Sequence, residues 1–87
     1  MIPDYSLIRE DVIESLQMYV KHHVPTGSFL GAVLSNDLRD AFMRGDDDNL
    51  ATLFHIVAYV CNEIPSECWG SPERVNEWLD NWQEVVR

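Results

Sequence analysis

Four kinds of side chain in this 87-residue chain could carry chemistry: clustered carboxylates, histidines, two cysteines and three tryptophans. Asp46, Asp47 and Asp48 form a contiguous run behind Gly45. A calcium loop needs alternating oxygen ligands, a central glycine and a glutamate at its twelfth position. Here the glycine precedes the run, and the twelfth position counted from Asp46 is Val57, so the run suits a solvated helix cap. His22 and His23 are adjacent and point roughly 100° apart on a helix, which keeps them from chelating one metal from a single face. His55 stands alone between Phe54 and Ile56, as a packed or partly exposed helix residue. Cys61 and Cys68 are spaced like no common zinc pair. No Lys or Arg flanks either thiol to make it a nucleophile. They could approach each other where a helix turns into a loop. Ser-His-Asp signatures and phosphate-cradling glycine loops are absent. This pattern implies no enzyme, no metal and no cofactor.

The aromatic residues carry more information. Trp69, Trp78 and Trp82 fall within fourteen residues, and Trp78 and Trp82 lie one helical turn apart. They either seal the core or leave one or two rings as partly exposed anchors of the kind that dominate binding hot spots. Glu73, Glu77, Asp80 and Glu84 occupy the opposite face of the same segment. A tryptophan edge beside a carboxylate stripe suits a basic protein partner.

Fifteen Asp and Glu against six Lys and Arg give a net charge of −9. Phosphate contacts need a basic surface, which excludes direct nucleic-acid binding and disfavours an anionic membrane. Such a charge steers a chain toward basic protein surfaces, or simply keeps it soluble. Two cysteines are too few for a disulfide framework. The opening carries no basic-then-apolar leader, and no apolar run approaches the roughly 20 residues of a membrane span. A reduced, cytosolic location is expected.

The elements that must position these residues read as four helices. After a short irregular lead, Ser6 suits an N-cap. Ile8, Val12, Leu16, Val20 and Val24 then recur every four residues, predicting a helix from about Leu7 to His23. Pro25 and Gly27 end it. Ser28 suits the next cap, and Leu30, Val33, Leu34, Leu38, Ala41 and Phe42 form a second stripe. That helix closes on Arg44, with Gly45 after it. The triple aspartate caps a third helix carrying Leu50, Leu53, Phe54, Val57, Val60, Cys61 and Ile64. This helix is apolar on nearly every side and is expected at the centre of a bundle. Pro65 ends it. Ser71 and Pro72 begin a fourth, with Val75, Trp78, Leu79, Trp82, Val85 and Val86 on one face. The expected fold is one all-α domain, a compact four-helix array with the third helix central.

The strings GSFLGAVLSNDL, with Asn36, Asp37 and Leu38, and CWGSPERVNEWL resemble a group of small acidic proteins of bacteriophages and prophages. The middle segment LATLFHIVAYVCNEIPSECWGSPE fits as well, so the resemblance spans Val24 to Leu79. It implies a setting and no catalytic residues: an accessory protein acting inside a bacterial cell. Anti-CRISPR and other anti-defence proteins are of this size.

The expectation is a protein-binding accessory factor or inhibitor that acts on a host protein with a basic surface. Its expected contact residues are Asp37, Asp40, Trp69, Glu73, Glu77 and Asp80. One alternative is an oligomeric sponge for a signalling nucleotide, gathering some of Arg9, Lys21, Arg39, Arg44, Arg74 and Arg87. The other is a structural homodimer without ligand.

Overall fold

Asx and Ser/Thr side chains, which offer the backbone alternatives to the helical ladder, mark several of the helix starts and breaks of this chain. In the computed structural model, which describes residues 2–81, they delimit an all-α fold with no strand among the described residues. A 3₁₀ turn at Tyr5–Leu7 leads into α1, Glu10–His22. Then come α2 (Ser28–Leu34), α3 (Leu38–Arg44), α4 (Asp47–Ala51) and α5 (Leu53–Glu63). A second 3₁₀ turn, Ser66–Cys68, precedes α6, Pro72–Asp80.

Six helices stand where hydrophobic spacing predicts four, because two of the stripes run through breaks. Asn36 adopts the left-handed conformation (φ 62°). The Asp37 carboxylate then accepts the Asp40 N–H at 3.0 Å and starts α3 as a new helix. Thr52 leaves helical geometry between α4 and α5, and its hydroxyl donates to the Asp48 carbonyl at 3.0 Å. The first helix also begins later than Leu7. Asp4 accepts both the Ser6 N–H and the Ser6 hydroxyl, so Ser6 is capped rather than capping. Gly27, at φ 93°, holds the position before α2 that Ser28 was expected to hold. Asp46 caps α4 by accepting the Asn49 N–H at 2.8 Å. Ser71 caps α6, with Pro72 in its first turn. The expected continuation of this last helix through Trp82, Glu84, Val85 and Val86 lies outside the described residues.

The core gathers Ile8, Val12, Leu16 and Tyr19 from the first segment, the buried stripe of α2, Ile56 and Val60 of α5, then Ile64, Cys68 and Val75. Tyr19 is its polar anchor. Its phenol donates to the Cys68 carbonyl at 2.6 Å, and its own carbonyl accepts the Trp78 indole N–H at 2.7 Å. Burial pushes the Tyr19 hydroxyl well above the usual phenol range. The helix expected at the centre, α5, meets the core on one face and solvent on another. Ile56 and Val60 are buried, while Phe54 and Val57 are 47% and 39% exposed.

Two glycines separate packing from propensity. Gly45 has extended backbone, and a methyl there would sit 2.9 Å from both Leu50 and Phe29. Gly31 lies within α2 with open space beyond its Cα. In denaturant melts, Gly45→Ala is expected to lower stability by roughly 1–3 kcal/mol through overpacking. Gly31→Ala is expected to raise it by about 0.5–1 kcal/mol through helix propensity. Tyr19→Phe should lower it by about 1–3 kcal/mol, since it removes the donor from a buried carbonyl.

Candidate functional site: an apolar groove between α3 and α5

The break at Ser35–Asp37 turns α3 so that Ala41 is its one buried residue. Leu38, Phe42 and Met43 are 72%, 65% and 70% exposed. α5 presents Phe54, Val57 and Cys61 to solvent at spacings of three and seven residues, which is one face of a helix. Between the two helices runs a groove of about 410 Å³. Leu38 and Ala41 form one wall, and Leu53, Val57, Val60 and Cys61 the other. Val33 and Trp69 complete it, and Asn36 and Asp37 stand at the α3 N-terminal end. Asp37 is the one charged side chain in this lining.

Trp69 is half-buried, and its indole N–H is buried without a hydrogen-bond partner. The loop that carries it is fixed from two sides. The Gly70 N–H donates to the Leu34 carbonyl at 2.7 Å, and the Arg74 guanidinium donates to the carbonyls of Ser66 and Trp69. The two cysteines are both free thiols. Cys61 is exposed in the groove wall, whereas Cys68 is buried, and burial together with the Glu67 charge pushes its thiol up to about 11.

The six expected contact residues are not gathered into one patch. Asp37 and Trp69 share the groove. Asp40 instead binds Arg44 Nε through both carboxylate oxygens at 2.9 Å and faces a neighbouring cleft beside Pro72 and Val75. Glu73, Glu77 and Asp80 are exposed on α6 and do not line the groove. Trp78 is tied inward. It stacks on His23 with ring centroids 4.1 Å apart, and the His23 Nδ1–H donates to the Trp78 carbonyl. His23 reaches it from a left-handed position (φ 57°) that ends α1, a role its place beside His22 did not reveal. His55 accepts the Asp4 N–H through Nδ1 and so holds the chain's lead segment.

Sequence reasoning missed Leu38, Phe42, Phe54, Val57 and Cys61 as surface residues, because all five fit core stripes. The available signal was the Ser35-Asn36-Asp37 run, a set of helix breakers lying inside an apolar stripe.

Cations are mostly committed elsewhere. Arg9 meets Asp11, Asp46 and Asp48 at 3.0, 3.2 and 3.7 Å. The Asn49 N–H, with help from Arg9, holds the Asp46 carboxyl below the usual carboxylate range. Among the described residues no group of three or more His, Cys, Asp or Glu is placed to hold a metal ion, and no helix is long and apolar enough to cross a membrane. The chain matches no protein-family model, no curated protein and no solved structure.

Thiol titration of the native protein with Ellman's reagent should therefore count one fast cysteine, lost in Cys61→Ser. Cys68 should react only on unfolding. Two fast thiols, or none, would contradict the placement of the groove wall.

Proposed function

We propose that this chain is a non-catalytic protein-binding module, an accessory factor of the phage type that inhibits a host protein by occupying it. The observation that carries this reading is the open apolar face of α3 and α5. Monomeric soluble proteins rarely leave large contiguous apolar patches uncovered unless the patch binds something. The acidic surface around it favours a basic partner and accelerates encounter with one. An anti-defence role in a bacterial cell follows from the phage-like strings, by analogy of setting.

The nucleotide-sponge alternative has less support. An anionic ligand needs donors, and among the described residues the groove lining offers no Lys or Arg. Arg9, Arg44 and Arg74 are already engaged with neighbouring acceptors. A homodimer would cover the apolar face but would bring two strongly negative chains together.

The test compares retention from bacterial lysate on the immobilised chain, on Phe42→Asp in the exposed apolar face of α3, and on Met18→Asp, an exposed position on α1. One dominant protein, held by the parent and by Met18→Asp but lost on Phe42→Asp, is the expected result. Recovery of chaperones alone, or of the same proteins by all three, would overturn the proposal.

A further inference from the structure

We infer that the occupant of the groove is a basic amphipathic helix of a partner protein, a deepening that rests on the protein-binding reading above. The wall supplied by α5 sets the geometry. Leu53, Val57 and Cys61 mark just over two turns along one face, a rise of about 12 Å. A helix laid beside them would meet this row with apolar side chains at i, i+3 or i+4, and i+7, the anchor spacing of helix-in-groove recognition. Leu38 of the lining, with the exposed Phe42 one turn further along α3, would flank the same ligand from the other side.

Charge decides between occupants. The groove's one charged lining residue is Asp37, at the start of α3. Asp37 is exposed there, and the chain as a whole carries fifteen Asp and Glu against six Lys and Arg. Among the described residues no cation lines the groove. An apolar groove with a carboxylate at its rim, on a strongly negative chain, fits a helix whose anchors are flanked by Lys or Arg. A second copy of this chain carries the same net charge of −9 and so brings like charge to the groove. An acidic or neutral helix would forgo the attraction.

Three synthetic helical peptides without tryptophan or cysteine provide the test. One is a Leu/Lys peptide with leucines at i, i+3, i+4 and i+7. Another has the same composition in scrambled order. The last is the Leu/Glu counterpart of the first. Binding is followed by amide chemical shifts and by the rate at which N-ethylmaleimide alkylates Cys61. The amphipathic Leu/Lys peptide should slow alkylation at least about tenfold and shift amides of α3 and α5. Phe42→Asp should weaken its binding by roughly tenfold or more, an effect of the size expected for a hot-spot anchor. Equal protection by the scrambled or the Leu/Glu peptide would overturn the assignment. So would a protein that sediments as a dimer with Cys61 already shielded. These results are separable from failure of the broader reading. If a lysate protein is lost on Phe42→Asp while no basic helix protects Cys61, the binding module stands and the class of occupant is wrong.

Discussion

A phenol buried without an acceptor would cost about as much as the hydrogen bonds of a helical turn contribute, and Tyr19, essentially inaccessible in the core, has to resolve that. Its hydroxyl reaches the Cys68 carbonyl, which lies in the 3₁₀ turn after α5. Its backbone carbonyl, near the end of α1, takes the Trp78 indole N–H in addition to the His23 N–H. One residue thus ties α1 to the turn and to α6, segments far apart in sequence. His23 then closes over Trp78 from the next turn. For a domain of this size, which buries only about 60% of its unfolded surface, such long-range polar ties restrict the arrangements that hydrophobic burial alone would leave open.

Everything about the groove follows from what that anchor fixes. The turn held by Tyr19 carries Trp69 directly after Cys68, and the bond from Gly70 to the Leu34 carbonyl locks it against the end of α2. α5 is gripped on its far side by the lead segment. There the Asp4 N–H meets His55, the Tyr5 and Tyr59 rings meet edge to face at 5.1 Å, and the Tyr5 hydroxyl donates to Glu63. The core takes Ile56 and Val60. The remaining face of α5 leaves Phe54, Val57 and Cys61 exposed among the described residues, and Leu53, Val57 and Cys61 form part of the groove's wall.

The helical class was legible because period and caps agree: Asp46, Ser71 and Pro72 sit where capping chemistry puts them. The number of helices was not, and the reason is specific. Leu30, Val33, Leu34, Leu38, Ala41 and Phe42 hold helical spacing across Ser35-Asn36-Asp37, so periodicity reports one helix where the backbone makes two. A stripe can keep its phase while its axis turns, since spacing is blind to direction. Leu50 to Phe54 hides the break at Thr52 in the same way. Of the site, Asp37 and Trp69 were legible from charge and aromaticity. The apolar wall was not, because an apolar residue on a stripe reads the same whether a core or a partner covers it. His23 was illegible for another reason: its role comes from a left-handed φ and a ring 55 residues away.

That blindness has a physical consequence. An apolar stripe ordinarily belongs to the core of its own chain, and fully burying one such side chain is worth about 1.5–3 kcal/mol. Turning α3 at Asn36 forgoes that gain for Leu38 and Phe42, and the solvent-facing side of α5 forgoes it for Phe54 and Val57. The unspent driving force remains available to any surface that fits. Left alone on a neutral protein, such a patch would promote association of like copies. A net charge of −9 opposes that association while leaving the patch open to a basic surface. Solubility and selectivity are therefore one property here rather than rival explanations of the acidity. The charge that would oppose self-association is the same charge that would distinguish a basic helix from everything else that is apolar.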